Sequence, residues 1–175
     1  CFGTEYLEIT GSKIEDKLVL LLEKSIEKGG FKQLRTLKLS NNQLGFAALD
    51  TLSSIGEYLP NLECLDLSSN QLNTVDKNSR QKELMSSLFV GFFERFYLHF
   101  PRLKSLNISN INLDNDSIQV LKPLFSQASL LEAIDIRDNF FSTNTLNTFL
   151  SSSEVKYNIN VHTIECGHQR RKNIK

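Results

Sequence analysis

Tryptophan is absent from this 175-residue chain, and proline (three residues), cysteine (three), histidine (three) and glycine (eight) are scarce. Cys1, Cys64 and Cys166 are too few and too scattered for a disulfide framework. The fold is therefore expected to stand without one, in a reducing compartment or independently of redox state. No sign of charge dominates: 20 Lys and Arg balance 20 Asp and Glu, which removes any global pull towards nucleic acid or an anionic membrane. No apolar run approaches the ~20 residues of a membrane-spanning helix. No signal peptide is visible and the chain begins at Cys1 without Met, which reads as a fragment or a processed form. His99, His162 and His168 form no Ser/His/Asp or Cys/His grouping, and there is neither a phosphate-binding glycine loop nor a carboxylate cluster. Cys166 and His168 are two possible metal ligands with no matching pair. The basic stretch "HQRRKNIK" reads as a frayed terminus. The expectation is a chain without enzymatic activity, cofactor or metal, with no nucleic-acid or membrane partner.

Repetition takes the place of such motifs. The stretches "LRTLKLSNNQLG" (34–45), "LECLDLSSNQLN" (62–73), "LKSLNISNINLD" (103–114) and "LEAIDIRDNFFS" (131–142) share one spacing. Counting the first leucine as position 0, apolar residues fall at 0, 3, 5 and 10: Leu34, Leu37, Leu39 and Leu44 in the first copy, and Leu131, Ile134, Ile136 and Phe141 in the last. Position 8 is Asn42, Asn70 and Asn139 in three copies, and Ile111 in the remaining one. Apolar residues alternating with polar ones, as in "LKL", give a strand with one buried face. A helical pattern follows each strand, with Leu49, Leu52, Ile55 and Leu59 on one face in one unit, and Ile118, Leu121, Leu124, Phe125 and Ala128 in another. Strand then helix, repeated, implies parallel strands joined by crossovers, and no unit can bury its apolar stripe alone.

Four copies in register resemble the leucine-rich repeat family, in its ribonuclease-inhibitor-like subclass with long, helix-containing repeats. The resemblance covers nearly the whole chain. It implies an α/β solenoid, a right-handed β-α horseshoe with parallel strands on a concave face and helices on a convex one, forming one domain over residues 1–175 with five to six repeats. In that family the position-8 Asn hydrogen-bonds neighbouring backbone and forms a ladder between repeats. Ile111 cannot, and Asn110 and Asn112 beside it are expected to cover part of the role.

Two degenerate copies are expected at the ends. "YLEITGSKI" puts Leu7, Ile9 and Ile14 in register, with a helix after it stopped at Gly29-Gly30; Ile159 and Val161 form a candidate last strand. Pro123 is expected to kink the third helix or make it start late. Thirteen extra residues separate the second copy from the third. The polar stretch 73–86 is expected to leave as an edge loop. The helix after it should send Phe89, Phe92, Phe93, Phe96 and Phe100 to the core. A second stripe of Val90, Phe93 and Tyr97 either packs intramolecularly, the preferred reading, or meets a partner.

Function is expected on the outward strand positions. The candidate partner-binding residues are Tyr6, Glu8, Thr36, Lys38, Asp66, Asn107, Asp135, Arg137 and His162, with Tyr157 as a possible neighbour. The resemblance implies a monomeric, non-enzymatic module that binds a protein partner. Members of the subclass include effectors that bacteria deliver into the host cytoplasm, a setting the low Pro and high Asn, Ser, Lys and Ile content suits. The alternative is a regulator of a small GTPase, since GTPase-activating proteins share the subclass. An enzyme would require a further domain outside this chain.

Overall fold

The computed structural model describes residues 3–13, 15–73, 89–128 and 130–151. Five three-residue strands, β1 (Tyr6–Glu8), β2 (Thr36–Lys38), β3 (Cys64–Asp66), β4 (Ser105–Asn107) and β5 (Ala133–Asp135), form one parallel sheet in chain order. Between them run α1 (Lys17–Glu27), α2 (Ala47–Gly56), helical residues 89–94 continuing into α3 (Phe96–His99), and a 3-10 turn (Ser117–Leu121) leading into α4 (Lys122–Gln127). After β5 comes α5 (Thr143–Leu150). The architecture is α/β, with a sheet that does not close. The candidate sixth strand, Ile14 and residues 74–88 lie outside the described residues.

The register follows the sequence repeat. Leu7 pairs with Leu37, Leu37 with Leu65, Leu65 with Leu106, and Leu106 with Ile134. These middle residues point into a continuous core that also holds Leu49, Leu52 and Ile55 of α2, Leu18, Val19, Leu22 and Ile26 of α1, and Leu146 and Phe149 of α5. The flanking strand residues stand on the opposite face, because side chains alternate along a strand. Burying one leucine or isoleucine side chain is worth about 1.5–3 kcal/mol, and each unit buries several.

The strands are short because a turn ends each of them. Position 7 is left-handed in every unit: Gly11 (φ 66°), Asn41 (58°), Ser69 (55°), Asn110 (52°) and Asp138 (57°). Glycine, Asn and Asp take that conformation most readily. Between the turns the Asn ladder forms. The Asn70 side chain donates to Leu39 O (3.0 Å) and Leu67 O (2.9 Å) and accepts from the amides of Asn42 and Leu44, both at 3.0 Å. Asn139 repeats the arrangement with Ile108 O, Ile136 O and the amides of Ile111 and Leu113. Asn42 donates to Leu39 O and Ile9 O and accepts from Ser12 N. Buried backbone groups need such partners.

At Ile111 the ladder is interrupted. Its side chain is fully buried, and the amides of Asn70 and Leu72, which an Asn there would accept, meet no acceptor among the described residues. The cover expected from Asn110 and Asn112 takes another form. Both adopt positive φ, and Asn110 Nδ2 donates to Ser69 Oγ at 3.2 Å. The bridge comes from the preceding unit: Asn73 Nδ2 donates to Asn112 O and to Ser117 Oγ, both at 2.9 Å.

Helix boundaries have local causes. Ser142 caps α5 by accepting from Thr145 N at 3.1 Å. Asp114 Oδ1 accepts from Ser117 N at 2.9 Å and starts the 3-10 turn. Pro123 stands at the beginning of α4, where its missing amide costs least, so that helix starts late. Gly30 N reaches back to Ser25 O at 3.1 Å and closes the end of α1. The helix expected to carry Leu49, Leu52, Ile55 and Leu59 on one face stops at Gly56, although Leu59 is still buried. Gly56 is held against α3: a Cβ there would lie 2.7 Å from His99 O. The expected phenylalanine face is core: Phe89, Phe92, Phe93, Phe96 and Phe100 are all buried. Phe92 and Phe96 meet edge-on at 5.5 Å, and Phe96 and Phe100 stand 5.1 Å apart. Of the second stripe, Phe93 belongs to that core, while Val90 and Tyr97 are half-buried.

Candidate functional site

The sheet face opposite the core collects most of the nominated residues. One row across it reads Tyr6, Thr36, Cys64, Ser105 and Ala133, and another reads Glu8, Lys38, Asp66, Asn107 and Asp135. All ten are half-buried or exposed. Arg137 lies two residues past Asp135 and returns to it. His162 and Tyr157 lie outside the described residues.

Two charged clusters mark the ends of this face. At β1 the Tyr6 hydroxyl donates to Glu8, and Lys38 Nζ lies 3.7 Å from Glu8 and 5.3 Å from the centre of the Tyr6 ring. The Tyr6 hydrogen bond, with the Lys38 charge, lowers the Glu8 pKa, and the same Tyr6 and Glu8 groups raise that of Lys38. At β5 Arg137 clamps Asp135 through Nε to Oδ1 (2.9 Å) and Nη2 to Oδ2 (2.6 Å). Burial pushes the Asp135 carboxyl up, but the hydrogen bonds and charge of Arg137 outweigh it and leave the pKa below the usual value.

The centre is quieter. Asp66 Oδ1 accepts from Ser68 N at 2.9 Å, and its carboxylate has no ion pair among the described residues. Asn107 Oδ1 accepts from Ser109 N and Oγ. Asp66, Asn107 and Asp135 thus share a second job: each accepts the amide two residues on and shapes the strand exit. The half-buried Cys64 thiol has its pKa raised by burial and is a poor nucleophile in that state.

A neighbouring row was not among the candidates. At position 1 stand Glu5, Arg35, Glu63, Lys104 and Glu132. Arg35 bonds Glu63 and lies 3.9 Å from Glu5, while Lys104 Nζ lies 2.9 Å from Glu63. Lys104 first, then Arg35, hold the Glu63 carboxyl below its usual pKa. The alternation of sign was available in the sequence once position 1 was aligned across the copies.

Among the described residues no group of three or more His, Cys, Asp and Glu is placed to hold a metal ion, and no helix is long and apolar enough to cross a membrane. No family model and no curated protein matches the sequence.

Proposed function

We propose that the chain is a leucine-rich repeat solenoid of the ribonuclease-inhibitor-like type and acts as a non-enzymatic module that binds a protein partner through its strand face. The observation that supports this reading is the register. Five strands in chain order align Tyr6, Glu8, Thr36, Lys38, Asp66, Asn107 and Asp135 in two parallel rows, with Arg137 beside them. A surface carried on rigid, hydrogen-bonded strands keeps its shape when a partner arrives, which lowers the ordering cost of binding. Tyr6 and Arg137 are of the residue types that anchor interfaces. Asp66 offers a partner's cation an open carboxylate near the centre.

The test is affinity capture with three single variants of equal melting temperature. Lys38→Glu and Thr36→Arg alter the strand face, and Lys24→Glu alters α1 on the helical side. A partner bound by wild type and by Lys24→Glu but lost with both face variants supports the reading. A partner whose capture is insensitive to Lys38 and Thr36 but lost with Lys24→Glu rejects it.

A further inference from the structure

The middle strand lies inside the sheet. Cys64 and Asp66 pair with Thr36 and Lys38 of β2 on one side and with Ser105 and Asn107 of β4 on the other. On the face of this strand Asp66 is held by one oxygen only. Its Oδ1 accepts from Ser68 N at 2.9 Å, and no group among the described residues bonds its Oδ2. Lys38, the cation on the neighbouring strand, is drawn the other way, with Nζ 3.7 Å from Glu8 and 5.3 Å from the centre of the Tyr6 ring.

The same arrangement recurs two strands on, and there it is filled. Asp135 Oδ1 accepts from Arg137 N at 3.0 Å, as Asp66 Oδ1 does from Ser68 N. The Arg137 guanidinium then takes the second oxygen, Nη2 to Oδ2 at 2.6 Å. Arg137 and Ser68 occupy the same position of the repeat, and a serine side chain is too short to reach around in that way. In the unit between them Asn107 stands in place of the acid. Its Oδ1 accepts from Ser109 N and Oγ, and its Nδ2 makes no bond among the described residues. An open anion thus stands beside an open donor, on two side chains whose inner atoms are already pinned. Thr36, Cys64 and Ser105, on the rung before them, are small and leave room above.

We infer that Asp66 is the docking point for an arginine side chain on an exposed segment of the protein partner, with Asn107 Nδ2 donating to a backbone carbonyl of that segment. The inference rests on the strand face being the binding surface. Charge calls for a cation, and geometry selects which one. A guanidinium is a planar, weakly hydrated fork that meets a carboxylate through two bonds, whereas an ammonium is a strongly hydrated point charge. The chain shows both cases: Arg137 closes on Asp135, while Lys38, directly across from Asp66, does not close on it. Because Asp66 and Asn107 are held by their own turns, little ordering is left for the partner to impose.

The probe is a displayed library of random linear peptides, selected on immobilised wild-type protein. Arginine is expected to be enriched over the unselected library. A selected peptide should bind about tenfold more weakly to Asp66→Asn, and about tenfold more weakly to wild type when its arginine is replaced by lysine. Asp66→Asn keeps the turn, since Asn107 makes the same bond to Ser109 N. Peptides that are lost with Thr36→Arg but bind Asp66→Asn as tightly as wild type, or accept lysine equally, overturn this inference and leave the strand-face reading standing. Peptides that are lost with Lys24→Glu and kept by Thr36→Arg overturn both. A selection that yields no binding peptide overturns the inference as well.

Discussion

Asn139 Oδ1 accepts a hydrogen bond from the Ile111 amide at 3.1 Å, but the Ile111 side chain returns no such bond to the unit before it. The fourth unit is thus served by the ladder from one side and withholds it on the other. The third unit compensates through Asn73, whose side chain reaches across to Asn112 O and Ser117 Oγ.

Replacing Ile111 with Asn should restore the missing rung. Its amide would find Leu67 O and Ile108 O, in the same way that Leu39 O already accepts from both Asn42 and Asn70. The amides of Asn70 and Leu72 are expected to exchange with solvent more slowly in Ile111→Asn than in wild type, measured relative to Asn42 and Leu44. Unchanged exchange would show that the wild-type amides are already satisfied.

Asn70→Ala removes three donated and two accepted hydrogen bonds from a nearly fully buried site. Each buried group left unpaired costs about 1–3 kcal/mol, so a loss of roughly 3–5 kcal/mol in chemical denaturation is expected. The half-buried Asn139 should lose less on the same change, because water reaches the groups it leaves. Equal losses at the two sites would show that burial does not set the cost.

Gly56→Ala should destabilise by about 1–3 kcal/mol, as overpacking does, although alanine is ordinarily the better helix former by roughly 1 kcal/mol. The added Cβ would sit 2.7 Å from His99 O and 2.8 Å from His99 Cβ. A stability curve at or above wild type would show that α3 retreats from α2 without penalty.

Phe96→Ala is expected to cost about 3–5 kcal/mol. Its ring is 1% exposed and packs between Phe92, Phe93 and Phe100. Tyr97→Ala, at a half-buried position, should cost distinctly less. The reverse order would put the inward face of this segment on the wrong side.

Burial lowers the His99 pKa, with Arg95 adding to the effect and Glu57 opposing it. The folded chain therefore binds this proton less readily than the unfolded chain does. Its contribution to stability is complete above the ordinary histidine value of about 6.5 and is lost as pH falls below it. The melting temperature should decline between about pH 7.5 and 5.5, and His99→Gln should decline less. Parallel declines in the two proteins would remove His99 from the explanation.

Most of the scaffold was legible because one period repeats. Leu37, Leu65, Leu106 and Ile134 occupy one sequence position and one place in the sheet, and the phenylalanines at 89, 92, 93, 96 and 100 give their inward face by spacing alone. The strand-face residues were legible for the same reason. Their partners were harder to read. That Asp66, Asn107 and Asp135 each take the amide two residues on depends on the backbone at the strand exit, where the next residue but two is left-handed. That Asn73 substitutes for Ile111 depends on a contact between residues 39 positions apart, in neighbouring units. The charge row through Glu5, Arg35, Glu63 and Lys104 is harder to read because its residues precede the strands and lie outside the apolar alternation that marks them.

Thr36 faces Cys64 and Cys64 faces Ser105 on the same rung, although the chain takes 28 residues over the first step and 41 over the second. Addressing in this sheet works by content, through what the leucines and the turn offer, and is indifferent to mileage. The stretch between Asn73 and Phe89 is therefore a natural port. Sequence can be threaded in there at a closure cost that grows only with the logarithm of its length, and no rung has to change its neighbour. A protein of this kind can acquire new material without acquiring a new scaffold.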